Sequence, residues 1–172
     1  NELLESASRS KSDGNYVASI LAYSSLLAKD TTPGQAREAQ YRLAESYFQE
    51  GEYVASALAF EDFVTSYPDD SRLPQAMLMA ARAYHAADLC DGAISHYLSY
   101  LGYESVLDDM VYEWIGDCHA AAARLEDAVG AYRQALSSTE DVGIQVSLRE
   151  KVAEAYLEME DYGGALAEYD AI

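Results

Sequence analysis

The sequence predicts an all-α solenoid of antiparallel helix pairs, and three observations carry this prediction. An aromatic ring recurs at steps of 37, 37, 35 and 37 residues, and a small residue stands four positions before each ring. Turn residues separate stretches whose apolar residues follow the three-and-four spacing of an amphipathic helix. Such self-similarity is typical of stacked-repeat proteins, whose units bury their apolar faces against their neighbours. The rings are Tyr23, Phe60, Tyr97, Tyr132 and Tyr169, and the small residues are Ser19, Ser56, Ala93, Ala128 and Ala165.

The second repeat shows how each helix pair is built. Apolar residues over 35–50 form one helical stripe, and Gly51 ends it because glycine accepts the left-handed conformation that closes a helix. A second stripe begins at Tyr53 and ends before Pro68, since proline cannot continue a helix. Thr32 and Pro33 supply a cap and a first-turn residue at the start of the pair. The unit is therefore predicted as helix, tight turn, helix and loop.

The same pattern predicts about ten helices of roughly 12 to 17 residues and no strand. Turns are expected at 14–16, 51–52, 88–91, 124–126 and 160–162. The repeats are then 1–30, 34–68, 72–103, 106–138 and 142–172, which we expect to form a single array. Ile172 falls inside the last predicted helix, so Leu166 and Tyr169 lack a following helix and would form an exposed apolar patch. We expect a piece of a longer chain, with end-to-end stacking on another molecule as the alternative.

The charge of the chain limits its partners. Thirty acidic residues against eleven basic ones give a formal net charge of −19, which repels phosphate backbones and anionic membranes. No apolar run approaches the ~20 residues that span a bilayer. The sequence therefore argues against nucleic acid and direct membrane insertion. It favours a protein or peptide partner, and the acidic field suits one of basic or mixed charge.

No residue constellation predicts catalysis, a metal or a cofactor. Cys90 and Cys118 match no disulfide framework and no zinc or redox spacing, so we expect buried free thiols. The three histidines fall at no ligand spacing, and His119, at a core position, is expected to be a hydrogen-bonded packing residue. The carboxylate pairs at 69–70 and 108–109 precede or open helices, where capping accounts for them.

These residues resemble the tetratricopeptide repeat family over essentially the whole chain, in five units. The first unit departs most, because Ser10 stands where the first-helix aromatic is expected. The resemblance implies a right-handed superhelical solenoid whose first helices line a concave groove that binds a peptide or protein segment. The matching residues are 43–47, 51–53, Ser56, Phe60 and Pro68 in the second unit, Tyr112, 115–116, 128–129, Tyr132 and Ala135 in the fourth, and Ala153, Tyr156, 161–162, Ala165 and Tyr169 in the fifth.

Family geometry also implies which residues line the groove. Aromatic, Arg and Met side chains are enriched where binding energy concentrates, so Phe48, Met79 and Trp114 are the leading candidates. Replacing Phe48 and Trp114 together with Ala is expected to abolish partner capture and to leave the helical content intact. The groove positions are Tyr41, Arg42, Glu45, Phe48 and Gln49 in the second unit, Leu78, Met79, Arg82 and His85 in the third, Glu113, Trp114, Asp117 and Ala120 in the fourth, and Glu150, Lys151, Glu154 and Leu157 in the fifth.

Two functions follow from this sequence: a non-catalytic scaffold that binds a protein partner, or a structural solenoid whose C-terminal end stacks on a copy of itself. Residues 41–47 and 60–68 are similar to bacterial cell-envelope members of the family. This similarity favours the envelope or periplasm, whereas two unpaired thiols are compatible with the cytoplasm.

Overall fold

The structure is a computed structural model that describes residues 2–29, 31–103 and 106–172, with side chains described from Leu4 onward. Ten α-helices and no strand occur in these ranges, which confirms the all-α prediction. The helices are α1 (Glu2–Ser12), α2 (Tyr16–Leu27), α3 (Pro33–Glu50), α4 (Tyr53–Ser66), α5 (Leu73–Ala86), α6 (Cys90–Leu101), α7 (Asp108–Ala121), α8 (Leu125–Ser138), α9 (Val142–Glu158) and α10 (Tyr162–Asp170).

The turns inside the helix pairs repeat one backbone conformation. Gly14, Gly51, Asp88, Ala123 and Glu160 all have positive φ, and they follow one another at the same 37, 37, 35 and 37 steps as the rings. Glycine adopts this conformation freely, whereas a side chain raises its energy. The turn geometry is therefore kept in all five pairs, although glycine occupies only two of them.

Side-chain caps fix several helix starts. The Thr32 hydroxyl accepts from the Gln35 backbone N–H while the Gln35 side chain accepts from the Thr32 backbone, which completes a capping box at α3. Asn15, Asp141 and Asp161 accept from backbone N–H groups at the starts of α2, α9 and α10.

The helices group into two compact units, which we call unit 1 (Asn1–Leu89) and unit 2 (Cys90–Ile172). Within each unit, every helix packs against the next one along the chain, as α1 does against α2 and α8 against α9. Unit 1 thus contains α1 to α5 and unit 2 contains α6 to α10. That the five repeats form a single array remains a prediction.

Aromatic rings fill the core of unit 1. Tyr23 packs with Ala7, Leu26 and Ala39 where α1, α2 and α3 meet. Phe60 and Phe63 meet the Tyr41 ring edge-on, with centroids 5.6 and 5.1 Å apart. The second core cluster consists of Tyr41, Ala44, Phe60, Phe63, Ala76 and Ala80.

The core of unit 2 allows one unusually close helix approach. Tyr132 of α8 packs so near α7 that a Cβ built on Gly116 would lie 2.3 Å from its ring. Only glycine fits that contact without displacing the ring. The surrounding cluster consists of Ala128, Val129, Tyr132, Ala135, Leu148, Val152 and Ala155.

Candidate interaction surfaces

Charged side chains in unit 1 connect α1, α3 and the residues just before α5. Arg42 Nε lies 2.7 Å from Glu38 Oε1, and Arg42 Nη1 lies 2.9 Å from Glu45 Oε2. Arg72 Nη1 reaches Glu38 Oε2 at 2.7 Å, and Lys11 pairs with Glu45. We call these residues, with Asp70, the unit 1 ion network. Because it joins α1, α3 and the residues just before α5, the charges of the expected groove are largely paired with one another.

Asp70 is the most deeply placed carboxylate of this network. Its side chain is 6% exposed, and it accepts from Arg72 Nε at 2.9 Å and from the Arg72 backbone N–H at 2.9 Å. The hydrogen bond from the Arg72 side chain is the main cause that holds the pKa of Asp70 below its usual value. The first residue before α5 is Arg72, and it has no side-chain cap. The expectation that Asp70 serves as a helix cap is therefore wrong: it is an ion-pair acceptor.

The pKa of Glu38 is likewise lowered by hydrogen bonds from arginine side chains. Burial works to raise the pKa of Glu38, but hydrogen bonds from Arg42 and Arg72 outweigh it and leave the pKa below its usual value. The carboxylate therefore stays ionised between two guanidinium groups. A signal for this pairing exists in the sequence, because Lys11–Glu45, Glu38–Arg72 and Asp117–Lys151 are all opposite charges 34 residues apart.

A pocket of about 430 Å³ lies between α1, α2 and α3 in unit 1. Lys11, Glu38 and Arg42 supply charge at its wall, while the Tyr23 hydroxyl hydrogen-bonds Ser8 at 3.0 Å. The wall consists of Leu4, Ser8, Lys11, Ser12, Tyr23, Glu38 and Arg42. Of these wall residues, only Arg42 was expected at the groove, because the first repeat departs from the family pattern.

Tyr41 does not line an accessible surface. It is 2% exposed, and the Arg72 guanidinium stacks over its ring at 4.5 Å from the centroid. Burial raises the pKa of Tyr41 to about 12. The expectation of a groove position is corrected accordingly: Tyr41 lies at the border of the helix face, where Phe60, Phe63 and Arg72 enclose it.

The candidates from the third repeat gather around Phe48. The Arg82 guanidinium lies 5.7 Å from the centroid of the Phe48 ring, and its Nη1 lies 4.0 Å from the Met79 sulfur. Phe48 also meets Tyr53 edge-on at 5.5 Å. Arg82 is exposed, while Leu78, Met79 and His85 are half-buried. The structure thus brings Phe48, Met79 and Arg82 to one partly exposed cluster.

In unit 2, Lys151 of α9 forms ion pairs with α7, the other first helix of this unit. Its Nζ lies 2.7 Å from Glu113 Oε1 and 2.7 Å from Asp117 Oδ1. Burial works to lower the pKa of Lys151, but the bonds to Asp117 and Glu113 raise it above its usual value. Asp117 also accepts from the Tyr132 hydroxyl at 2.9 Å. Glu113 and Asp117, both expected groove residues, are therefore already engaged within the unit.

Beside this cluster, α9 presents carboxylates without partners. Glu150, Glu154 and Glu158 are exposed at four-residue spacing, and none makes a hydrogen bond or ion pair with a described residue. Glu154 and Glu158 border a pocket of about 150 Å³ that Asp117, Tyr132 and Lys151 also line. Residues at this spacing share one face of a helix, so α9 carries an unbalanced negative stripe.

Trp114 lies against the preceding helix in unit 2. Its ring is half-buried and packs on Tyr97 of α6, with centroids 5.6 Å apart and planes inclined by 31°. Part of the indole is therefore structural, and the remainder faces solvent. Phe48 belongs to unit 1 and Trp114 to unit 2, so each is a candidate of its own unit.

The two cysteines lie on adjacent helices of unit 2, Cys90 at the start of α6 and Cys118 near the end of α7. Both thiols are free; Cys118 is buried and Cys90 is half-buried. Burial is the main cause that raises the pKa of the Cys118 thiol, and the nearby Cys90 raises it further. His119 follows on α7, and burial is the main cause that lowers its pKa. Its Nδ1 is buried without a hydrogen-bond partner among the described residues, so the hydrogen bond expected there is not made. No cluster in the described part of the chain has three potential metal-ligating side chains.

Comparison with known proteins agrees with this architecture. The profile of the tetratricopeptide repeat family matches residues 12–71. A crystal structure of MamA superposes with a TM-score of 0.77 at 16% identity, covering 98% of this chain and 86% of that one. MamA from Desulfovibrio magneticus RS-1 gives 0.72 at 12% identity, over 96% and 88% of the two chains. No curated protein matches the chain.

A putative kinesin light chain from Podosopora anserina, with nearly identical TPR-like repeats, gives a TM-score of 0.68 at 15% identity and covers 99% of this chain and 91% of that one. At these identities the likeness establishes the fold. The class is therefore an all-α solenoid of helix pairs. Residues 12–71 match the tetratricopeptide repeat family, and the helix pairs of the chain share the fold of such proteins, which supports a general role in protein interaction. Within the described ranges, none of its helices combines the length and apolar character needed to cross a membrane.

Proposed function

We propose that this protein is a non-catalytic interaction scaffold that binds peptide segments on the first-helix faces of its repeats. The observation that carries the proposal is the cluster of Phe48, Met79 and Arg82 on α3 and α5. An aromatic ring, a flexible thioether and an exposed guanidinium are the types enriched at the energetic centres of interfaces. The cluster is partly exposed, so a peptide side chain can cover it without unfolding a helix.

For unit 2 we propose a basic segment as the partner. Seventeen acidic residues against four basic ones leave this unit at −13, and the three glutamates of the α9 stripe pair with no cation among the described residues. A field of this sign accelerates the approach of a basic peptide and weakens as salt is added. The proposal therefore predicts that Lys- and Arg-rich peptides depend on salt more steeply than peptides bound at the Phe48 cluster.

Peptide selection against the full chain tests both surfaces. Peptides recovered from a random display library are titrated calorimetrically against the wild type and against Phe48→Ala and Glu154→Lys. We expect one group to lose about tenfold or more in affinity with Phe48→Ala, as is typical of an interface anchor. A second, basic group should lose affinity with Glu154→Lys.

Leu58→Ala provides the matched control, because Leu58 is an exposed apolar residue on α4, a second helix. Helical content by circular dichroism must be unchanged in every variant. If recovered peptides bind all three variants as tightly as the wild type, the first-helix faces are not the binding surfaces and the proposal fails.

Self-association is the second candidate, and the α10 surface supports it. The ring position is 0 to 3% exposed at Tyr23, Phe60, Tyr97 and Tyr132 but 46% exposed at Tyr169. Leu166 on α10 is 60% exposed, and Ile172, just after this helix, is 51% exposed. Sedimentation velocity over a concentration series should show oligomers that Leu166→Glu abolishes. Leu98→Glu, at an exposed leucine of α6, should leave them intact; a monomer at every concentration contradicts this candidate.

A further inference from the structure

The pocket between α1, α2 and α3 in unit 1 has a wall of mixed charge. Lys11 and Arg42 supply two cations, and Glu38 supplies one carboxylate. Its volume of about 430 Å³ lies in the range of small-molecule sites, roughly 300 to 1,000 Å³. The walls of such sites are mostly apolar, whereas Leu4 is the one wall residue here without a polar group. The pocket therefore suits a small ligand that is itself polar.

The two cations are held in place but keep unused donors. Glu45 Oε2 accepts from Lys11 Nζ and from Arg42 Nη1, so one carboxylate oxygen fixes both cations beside the pocket. A lysine ammonium has three N–H donors and an arginine guanidinium has five. Among the described residues, the Lys11 side chain makes one hydrogen bond and the Arg42 side chain makes two. Both cations can therefore also bind a carboxylate that enters the pocket.

Glu38 supplies the opposite charge at the same wall. Its side chain is 34% exposed, and its two oxygens accept from different arginines, Oε1 from Arg42 and Oε2 from Arg72. Each carboxylate oxygen can accept about two hydrogen bonds, so Glu38 keeps acceptor capacity for an ammonium group. Because the pKa of Glu38 lies below its usual value, the group is ionised at neutral pH.

Two hydroxyl groups add a neutral donor to the wall. The Tyr23 hydroxyl and the Ser8 hydroxyl lie 3.0 Å apart and share one hydrogen bond, which leaves one of their two hydrogen atoms for a ligand. Burial is the main cause that raises the pKa of Tyr23, so its hydroxyl keeps its proton. The pocket thus offers cationic donors, a hydroxyl donor and an anionic acceptor together.

The charge of the whole chain limits which polar ligand can enter. A net charge of −19 opposes the approach of an anion, while Lys11 and Arg42 repel a cation at the wall. A zwitterion has no net charge, so neither repulsion excludes it, and it presents a charge to each part of the wall. A free α-amino acid carries its ammonium and its carboxylate on one carbon atom, whereas a peptide carries these two groups at opposite ends.

We propose that this pocket is a binding site for a free α-amino acid. The carboxylate of the ligand accepts hydrogen bonds from Lys11 and Arg42, its ammonium donates to Glu38, and its side chain lies toward Leu4. Charge-assisted hydrogen bonds of this kind are about twice as strong as neutral ones. The site goes beyond the proposed peptide surfaces, because Phe48 and its partners lie outside the wall.

The full chain, titrated separately with each of the twenty standard amino acids, provides the test. Saturation-transfer NMR detects the amino acids that bind, and calorimetry measures their affinity. We expect at least one to bind with a Kd of about 1 mM or tighter. Its amide lacks the carboxylate charge and its N-acetyl derivative lacks the ammonium charge, so each should bind about tenfold or more weakly. Hydrogen exchange in α1 should slow in the complex, because the ligand connects α1 to α3.

Variants of the wall assign the binding to this pocket. Lys11→Met and Glu38→Gln should each lower the affinity about tenfold. Lys29→Met is the matched control, because it removes the same charge from an exposed residue of unit 1 outside the wall. Phe48→Ala should leave amino acid binding unchanged, so this site and the proposed peptide surface stand or fail separately.

Two results on the wild type would overturn the proposal. One is that none of the twenty amino acids binds. The other is that the amide or the N-acetyl derivative binds as tightly as its amino acid, which would mean that the pocket does not recognise the paired charges. These titrations decide the matter even if a variant fails to fold.

Discussion

Units 1 and 2 share one helix-pair pattern but distribute their charges differently. Unit 1 has thirteen acidic and seven basic residues, a net charge of −6, whereas unit 2 has seventeen and four, a net charge of −13. In unit 1 the cations join α1, α3 and the residues just before α5 through the ion network. Among the described residues of unit 2, Lys151 is the one cation that joins two first helices, and the α9 carboxylates stay unpaired. The charges of the first-helix face are therefore largely paired within unit 1, whereas in unit 2 the acidic stripe of α9 is left over.

Residues at equivalent positions of the repeat show this difference in charge pairing directly. Glu45 and Glu154 occupy the same place in the repeat, three repeats apart. Glu45 pairs with Lys11 and Arg42, whereas Glu154 pairs with no cation in the described part of the chain. Ala44 of unit 1 corresponds to Gly116 of unit 2, where a ring has moved into the space of the missing methyl group. Substitutions at such pairs of positions test whether equivalent residues contribute differently to the free energy of unfolding in the two units.

The largest effect is expected at the centre of the unit 1 ion network. Arg72→Met removes the nearest cation of Asp70, whose side chain is almost fully buried, and one of the two guanidinium groups beside Glu38. Asp70 keeps the longer contact with Arg37. A buried carboxylate that loses its main ion-pair partner destabilises a protein strongly, so we expect a loss of about 3 kcal/mol in the free energy of unfolding. Arg37→Met is the matched control, because Arg37 meets the same carboxylate at 3.4 Å but is 48% exposed. It should cost about 0.5 kcal/mol or less in urea unfolding.

The pH dependence of the two proteins checks the cause. The pKa values of Asp70 and Glu38 are lowered in the folded state, so their contribution is present above the unfolded pKa near 4 and is lost as pH falls through the folded values. Stability of the wild type should thus fall between neutral pH and about pH 3. Arg72→Met should show a shallower fall; parallel curves would mean that Arg72 acts through packing on Tyr41 instead.

Gly116 is expected to be the next most sensitive position. Gly116→Ala places a methyl group 2.3 Å from the ring of Tyr132, whose hydroxyl is held by Asp117. We expect a loss of about 2 kcal/mol, because the buried ring must shift. Gly130→Ala is the control in the same unit: its Cβ meets nothing within 4 Å, so it should gain about 0.5 kcal/mol from helix propensity. Equal effects of the two substitutions in thermal unfolding would contradict the close approach of α7 and α8.

The fold could be predicted from the sequence because the rings and the turns recur at the same steps of 37, 37, 35 and 37 residues, as a stack of helix pairs requires. The ends of helices were marked by local chemistry, such as the Thr32 capping box and Gly51. Family positions also placed Phe48 and Arg82 on the first helices, where the structure brings them into contact.

Side-chain partners across repeats were harder to predict. Tyr41 was expected at the groove because its helical position borders that face, and only the packing of Phe60, Phe63 and Arg72 decides that it is enclosed. The proximity of Cys90 to Cys118 depends on how α6 packs against α7, which sequence spacing alone does not determine. The packing of neighbouring helices therefore decides whether a residue at the edge of a helix face is enclosed or accessible.

The turn positions provide a smaller contrast between the units. Ala123 of unit 2 has φ 55°, whereas Gly51, two repeats earlier in unit 1, has φ 88°. A side chain raises the energy of this conformation, so Ala123→Gly should gain and Gly51→Ala should lose about 1 kcal/mol. Chemical denaturation of the two variants measures both signs. Gly34→Ala, at the start of α3 and without positive φ, is the control and should not lose stability.

The smallest effect is expected for the substitutions that test the difference in charge pairing between the two units. Glu45→Gln removes a carboxylate that Lys11 and Arg42 share, so unit 1 should lose about 0.5 kcal/mol. Glu154→Gln removes the middle of three like charges at four-residue spacing on α9, so unit 2 should gain about 0.5 kcal/mol. Hydrogen exchange followed by mass spectrometry assigns each change to the peptides of its own unit. Opposite signs that converge in high salt are expected, because salt screens both the attraction and the repulsion; equal signs would mean that the net charge of the whole chain, not local pairing, governs stability.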